Sequence, residues 1–385
     1  MTANRTGALD GIRVLDLSRI LAGPYCAMML ADLGAEVIKV ESPQGDDARL
    51  FGPFHDGESA YYRLFNRNKL GLSMDLKDPG ERDRLIELAR RSDVLIENFR
   101  PGVMTRLGLA PSELLRINPR LNVLSVTGYG QDGPLSDQPA YDLVAQAMSG
   151  LMSVTGRPGG EPTRTGVSLG DIIPGLYGAQ AVLAALHERA TTGAGQHIDV
   201  AMLDCLVSVL ESVAMRALHG EEVPVATGND HAMTAPFGTY RTGDGTIAIA
   251  VSNDRLFGRL ADALERPEWL EDERFAAYPA RDPHRDELRA AIEAALAGHT
   301  TEQAYERLRA HGVPAGKVLD VPQALAQDQV RSRGVVVEEP DGFATLGSPI
   351  RLTGSVPPTP APQLGEHNDS LAAWLDEPER TGQDD

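Results

Sequence analysis

Along the first third of the chain, short apolar runs alternate with segments whose apolar residues recur every three or four positions. Ile12–Ser18 (IRVLDLS) has the pattern of a short strand, and Pro24–Gly34 (PYCAMMLADLG) that of a helix, with Pro24 in its first turn and Gly34 just past its end. Glu36–Glu41 (EVIKVE) is again strand-like. The pattern then repeats, with a helix over Gly80–Asp93, a strand at Val94–Phe99, a helix over Pro111–Pro119 and a strand at Leu121–Val126. Strands separated by helices predict an α/β fold, a parallel sheet covered by helices on both faces.

Further on, Tyr141–Gly150 (YDLVAQAMSG) reads as a helix. After a loop rich in Gly and Pro comes a long helix over Ile172–Ala190, whose many small residues let another helix or a sheet approach closely. The character changes near Gly220. Gly238–Val251 resembles a hairpin turning on Gly243-Asp244-Gly245, and short charged amphipathic helices follow to about Gly312, together predicting a smaller α+β domain. Leu352–Leu375 is a Pro-rich extended segment closing on a short apolar helix, a strap expected to return to the first domain. Glu377–Asp385 is expected to be disordered. The expected division is a large domain over residues 1–200, a linker at 201–224, a small domain over 225–320, and a return to the large domain with a tail at 321–385.

Composition narrows the partners. Apolar content of 42% and charged content of 24% suit a soluble globular protein, and no apolar run reads as membrane-spanning. The opening MTANRTGALDG has no apolar leader, so a cytoplasmic location is expected. Cys26 and Cys205 form no C-x-x-C pair, which excludes a disulfide framework and suits a reducing compartment. A net charge of −19 argues against nucleic acid as partner. Arg63, Arg67, Lys69, Arg100 and Arg106 nevertheless gather in one stretch, either as a solvated basic face or as a local anion site. No H-E-x-x-H, cysteine cluster or EF-hand loop is present, so no metal is expected.

Two motifs fail on context. Gly128–Gly133 fits G-x-G-x-x-G, the dinucleotide loop, but such a loop must run straight into a helix. Pro134 and Pro139 intervene, and the first βα turn, SRILAGP, lacks the pattern. Gly166–Gly170 matches the G-x-S-x-G elbow, yet no apolar strand precedes it, so Ser168 is expected to be a loop residue. Asp142 remains. It falls in the first turn of a helix, where unpaired N–H groups and the helix dipole stabilise a carboxylate. Aspartates so placed are most often caps alone. Gln146 shares its face one turn on, and Asp171 in LGDIIPG is similarly placed.

Taken together, LDLSRILAGPYCAMMLADLGAEVIKVE, NRNK, ENFRPGVMTRLGL, GYGQDGP, YDLVAQAMSG, GNDH, APFGTY, GVPAGKV and LGEH, in this order and spacing, make the chain resemble the class III CoA-transferases. That family includes carnitine dehydratase-like and bile-acid-inducible proteins and the α-methylacyl-CoA racemases. The resemblance implies a Rossmann-like large domain built from both chain ends, a small domain, and an interlocked homodimer. It implies acyl-CoA and a carboxylic acid as substrates, with no permanently bound cofactor. By motif match, Asp142 would be the nucleophile that carries CoA as an aspartyl thioester. Asn98, Phe99 and Arg106 would contact CoA, with the adenine near Phe99 and the phosphates near Arg106. Lys69 and the loop Gly128-Tyr129-Gly130 would line the same ligand, and GNDH, Gly228–His231, would be a lid with a single glycine.

Departures from the family pattern refine this. Racemases of the family carry Gly-His-Asp where this chain has Ala140-Tyr141-Asp142, and a tyrosine is a poor base near neutrality. The transferase reading therefore leads, followed by a racemase using Asp171, a CoA binder without turnover, and a nicotinamide enzyme. Leu21 stands where some formyl-CoA-type transferases have Gln, which disfavours oxalate-type substrates. Tyr25, Tyr61, Tyr62 and Arg49 are candidates for shaping the acyl pocket.

Overall fold

The computed structural model describes residues 7–220, 223–352 and 356–376. Six strands, β1 (Arg13–Asp16), β2 (Glu36–Glu41), β3 (Lys69–Ser73), β4 (Val94–Glu97), β5 (Asn122–Thr127) and β6 (His197–Ala201), form one parallel sheet. Their order is β3-β2-β1-β4-β5-β6, the doubly wound Rossmann arrangement in which winding reverses between β1 and β4. Val14 of β1 faces Val37 on one side and Val94 on the other. The edge strands β3 and β6 were not apparent in the apolar pattern, because Lys69, Gly71 and Ser73, and likewise His197 and Asp199, interrupt it.

Helices α1 (Ala22–Asp32), α2 (Ala60–Asn66), α3 (Pro79–Arg90), α4 (Val103–Arg106) and α5 (Pro111–Ile117) fall between the first five strands. α6 (Asp142–Met148) and α7 (Leu169–Thr192) precede β6, and α8 (Met202–Ser208) and α9 (Glu211–His219) follow it. The strand period of two sorts the sheet's side chains. Val14, Val37, Val94, Ile96, Leu124 and Val126 meet α1 and α7 on one face. Leu15, Ile38, Leu72, Leu95 and Val123 meet Leu85 and Leu88 of α3 on the other, where Trp374 of the C-terminal helix also packs. Cys26 and Cys205 are free thiols within the α1/α7 core.

α7 lies against α1 through small residues. A Cβ on Gly175 would fall 2.8 Å from the Ala22 carbonyl oxygen, and one on Gly178 would fall 3.1 Å from a Leu124 methyl. Contrary to expectation, this 24-residue helix is long and apolar enough to cross a membrane by length and composition. Its inner face instead fills the core, with Gly175, Gly178, Ala179 and Val182 buried.

The chain divides into two units. The first comprises residues up to Met152, Arg164–Val223 and the chain from Asp328 onward; the second comprises Ser153–Thr163 and Pro224–Gln327. The segment expected as a linker, 201–224, is largely the helices α8 and α9 of the first unit. The second unit also draws on 153–163 and runs beyond 320. Its hairpin, Phe237–Arg241 with Thr246–Ala250, pairs with Ala315–Lys317, and Ile247, Ile249, Phe257, Leu260, Leu288 and Ile292 form its core. Within it, GNDH is a fastened turn: Asn229 donates to Thr239 Oγ1 at 3.0 Å and Asp230 pairs with Arg289.

In the first unit, the C-terminal strap lies along the free edge of β3. The Gly71 carbonyl accepts from the His367 N–H at 2.9 Å, and Ser73 N–H donates to Asn368 Oδ1 at 2.9 Å. The disorder expected for 377–385 lies outside the described residues.

Two helical glycines give a contrast. Gly175→Val must push α7 off α1 and is expected to cost about 1–3 kcal/mol or more. Gly258, with open space around its Cβ position, is expected to gain about 0.5–1 kcal/mol as Gly258→Ala. Urea unfolding of the two variants beside the parent checks both signs.

Candidate active site

The turn after β1 enters the site under constraint. Asp16, fully buried, accepts from the Ser18 N–H at 3.0 Å and from Lys69 Nζ at 2.8 Å. Burial alone would raise the Asp16 carboxyl, but the Lys69 and Lys39 charges outweigh it and hold it below the usual range. Lys39 in turn bonds the Ser18 carbonyl and Asp46, whose carboxylate accepts from the Ile20 N–H at 3.1 Å. Ile20 has φ 69°, a left-handed conformation costly for a β-branched residue. Lys69, expected against the ligand, is thus a buried structural cation. Its ammonium is spent on Asp16, Pro24 O and Asn66 Oδ1.

A cavity of about 340 Å3 opens at the carboxyl ends of β1, β4 and β5, at the reversal of strand order where ligands of such sheets bind. Arg19, Asn98, Phe99, Arg100, Gly128 and Asp171 are among its walls. Asn98 is clasped to the β1 turn: its Oδ1 accepts from the Arg19 N–H and its Nδ2 donates to the Arg19 carbonyl, both at 2.8 Å. Glu97 accepts from the Phe99 N–H at 2.7 Å, turning Phe99 out of the strand, and burial pushes its carboxyl up to about 7. A second cavity of about 320 Å3 shares Arg19, Phe99 and Val103 and continues past Lys77. Arg106 is exposed on α4 and lines neither cavity.

The glycine loop has a local explanation. A Cβ on Gly128 would sit 2.3 Å from the Ala140 side chain, so glycine there lets the loop close on the cavity wall. Gly130, at φ 88°, turns the chain and donates to Thr127 Oγ1 at 3.0 Å. Gly130 and Tyr129 lie outside the lining.

Asp142 is the first residue of α6 and is buried. Its two oxygens are held differently. Oδ1 accepts from the Gly170 N–H at 2.8 Å and from Gln146 Nε2 at 2.7 Å, whereas Oδ2 meets Arg164 at 2.9 Å. Gly170 is in the first turn of α7, and a Cβ there would lie 2.9 Å from Asp142, so only glycine admits this approach. The orientation of Gln146 is fixed because its Oε1 accepts the Thr165 N–H at 3.0 Å, which leaves its amide N–H for Asp142. Asp171 lines the cavity. Burial, and then the Asp142 charge, push its carboxyl up to about 7.

The basic stretch resolves residue by residue. Arg63 pairs with Glu339 and Asp341, Arg67 with Asp32 and Lys69 with Asp16, so these three are internal ion pairs. Arg100 reaches the cavity. Of the acyl-pocket candidates, Arg49 and Tyr62 are tied to Glu41. Tyr61 lies near the acid pair, its phenol raised by burial and then by Asp171, and Tyr25 packs against Gly175 of α7. Arg19 and Arg164 went unnoticed in the sequence. Arg19 was detectable as a cation just past the first strand, where this fold binds ligands; Arg164 had no local signal. Among the described residues no group of acidic, histidine or cysteine side chains is suited to a metal ion.

Fold and site define a doubly wound α/β protein with its cavity at the strand reversal. The profile of CoA-transferase family III matches residues 9–368. An acetyl-CoA:oxalate CoA-transferase of Acetobacter aceti is 40% identical over 382 residues, covering 98% of each chain. A succinate–glutarate CoA-transferase of Agrobacterium fabrum is also 40% identical, with 98% of each chain covered. The crystal structure of a CAIB/BAIF family protein from Brucella suis aligns with a TM-score of 0.85 at 39% identity, over 96% of this chain and 100% of that one. The chain belongs to CoA-transferase family III. It is a CoA-transferase, an enzyme whose substrates are CoA thioesters.

The Asp171 carboxyl makes stability depend on pH with a definite sign. Its folded pKa is above its unfolded one, so the folded state holds the extra proton; stability is fullest below the unfolded value near 3.8 and declines as pH rises toward about 7. Asp171→Asn removes that decline. Thermal melts at about pH 4 and about pH 8 should therefore show the variant's Tm advantage over the parent growing with pH.

Proposed function

We propose that this enzyme moves CoA from an acyl-CoA to a carboxylic acid through an aspartyl-CoA thioester on Asp142. The observation that carries the reading is the unequal treatment of the Asp142 oxygens, one held by two fixed N–H donors and the other facing a side chain that is 43% exposed. A carboxylate attacks an acyl thioester weakly, but the product is an anhydride that the released CoA thiolate can open at the aspartyl carbon. That leaves CoA on the enzyme and frees the donor acid. An acceptor carboxylate then reverses the steps, so no ATP is needed. The Gly170 N–H, at the start of the 24-residue α7, and the Gln146 amide are placed to hold charge building on the aspartyl oxygen.

In this reading CoA lies along the joined cavities. The thioester end passes Gly128, the adenine lies near Phe99, and Arg19, Arg100 and Lys77 are available to phosphates. Asn98 acts by holding Arg19 in the wall. The relatives named for succinate–glutarate and acetyl-CoA:oxalate transfer support succinyl-CoA and acetyl-CoA as donors to try, with glutarate and oxalate as acceptors. They stand at equal identity, so Leu21 does not by itself remove oxalate from the panel.

One observation favours a second reading, α-proton exchange on the acyl chain: Asp171 lines the cavity and titrates near neutrality. Its partner position holds Tyr141, and a phenol ordinarily ionises only near pH 10. We further infer an interlocked homodimer. Leu143 and Met148 of α6, Leu176 and Leu183 of α7, and Met215 and Leu218 of α9 are exposed and are apolar side chains that a partner chain would cover. A cytoplasmic setting is inferred too, and the two buried free thiols suit it.

Incubation with succinyl-CoA or acetyl-CoA, then hydroxylamine trapping and peptide mass spectrometry, should modify the YDLVAQAMSG peptide at Asp142. Asp142→Ala should abolish the adduct and lower turnover about a thousandfold or more. Deuterium uptake at the acyl α-carbon without an adduct would select the racemase reading instead. Light scattering on the eluting protein should give twice the chain mass; the mass of one chain would overturn the dimer.

A further inference from the structure

We propose that Arg164 is the receptor for the carboxylate that reacts with the enzyme thioester, and that formation of the thioester itself releases Arg164 for that task. The proposal rests on Asp142 being the nucleophile.

The argument begins with which contacts at Asp142 can move. The Gly170 N–H is backbone at the start of a 24-residue helix, and Gln146 is pinned through its Oε1 by Thr165. Neither can leave Oδ1. Arg164 is different: its side chain is 43% exposed against 11% for Asp142, and among the described residues its guanidinium has one bond, to Oδ2. A guanidinium carries five N–H donors, so most of its capacity is unused. Thr165 is fastened to Gln146, so the backbone beside Arg164 stays in place while the side chain swings.

Atom balance then distinguishes the oxygens. Oδ1, fixed by two donors, remains the aspartyl carbonyl oxygen. Oδ2 is the oxygen that attacks the donor thioester, using the lone pair that Arg164 leaves free. The C–S bond breaks and CoA departs as thiolate. When the thiolate attacks the aspartyl carbon, the bond from that carbon to Oδ2 breaks, and Oδ2 leaves as part of the donor's carboxylate. That carboxylate is born within hydrogen-bond reach of Arg164. The acceptor must retrace the path: one of its oxygens attacks the aspartyl thioester carbon and becomes the new Oδ2, and its negative charge passes to the thiolate.

Charge gives the same answer. While Asp142 is ionised, it and Arg164 form a neutral pair. Once Asp142 is a thioester its charge is gone, and Arg164 is left unpaired beside the reacting carbon. An incoming carboxylate, otherwise approaching a chain of net charge −19 and the nearby Asp171, finds its cation there. Acyl-CoA carries no charge at its reacting carbonyl and needs no such receptor.

The test separates the two substrates. With succinyl-CoA or acetyl-CoA as donor and glutarate or oxalate as acceptor, Arg164→Gln should raise the acceptor KM about tenfold or more and leave the donor KM within about twofold. The trapped Asp142 thioester should still form, and Arg164→Lys should recover part of the acceptor affinity. Equal rises in both KM values, a fall in kcat with the acceptor KM unchanged, or loss of the adduct in Arg164→Gln alone would overturn the role given to Arg164. Absence of the adduct in the unmodified enzyme would instead overturn the Asp142 reading, and this proposal with it.

Discussion

The site depends on a buried set of charges around the carboxyl end of β1, where Asp16 closes that strand, Lys39 reaches in from β2, Lys69 from the start of β3 and Asp46 from the loop after β2. Asp16, Lys69, Lys39 and Asp46 are all nearly inaccessible, and each is satisfied by another or by backbone. Removing one member of such a set strands a charge in a dry interior, at about 3–5 kcal/mol. The arrangement holds the turn between β1 and α1, including Ile20 in its left-handed conformation, and that turn carries Arg19 to Asn98. The cavity wall is therefore set by ion pairs that touch no ligand.

That dependence explains what the sequence made legible. The inner strands β1, β2, β4 and β5 each carry two or more adjacent apolar residues, Val14-Leu15, Val37-Ile38, Val94-Leu95-Ile96 and Val123-Leu124, because both their faces are buried, and these runs set between helical patterns point to the fold. The edge strands β3 and β6 carry Lys69, Gly71, His197 and Asp199, and nothing local marked them. Asp142 was visible through its place at a helix start. Arg164 was not, since its meaning arises only when a loop 22 residues along the chain returns to that helix. The basic stretch misled for a related reason: cations near one another in sequence found partners as distant as Asp16, Asp32 and Glu339.

Glycine has two distinct uses around the site. Gly170 and Gly128 admit close approach, of α7 to Asp142 and of the loop to Ala140, while Gly130 supplies a backbone angle. None of these uses requires a dinucleotide. A dinucleotide-like spacing of glycines and a Rossmann sheet thus occur in one chain without being cause and effect.

The strap along β3 has a consequence for synthesis. β3 forms early in the chain, yet the groups that cover its open edge, His367 and Asn368, are translated 296 and 295 residues after their partners Gly71 and Ser73. Until they emerge, the nascent sheet presents unpaired backbone at that edge, a template for misassociation with neighbouring chains. Folding of the first unit is thus completed only after the strap has emerged, long after the strand whose edge it seals.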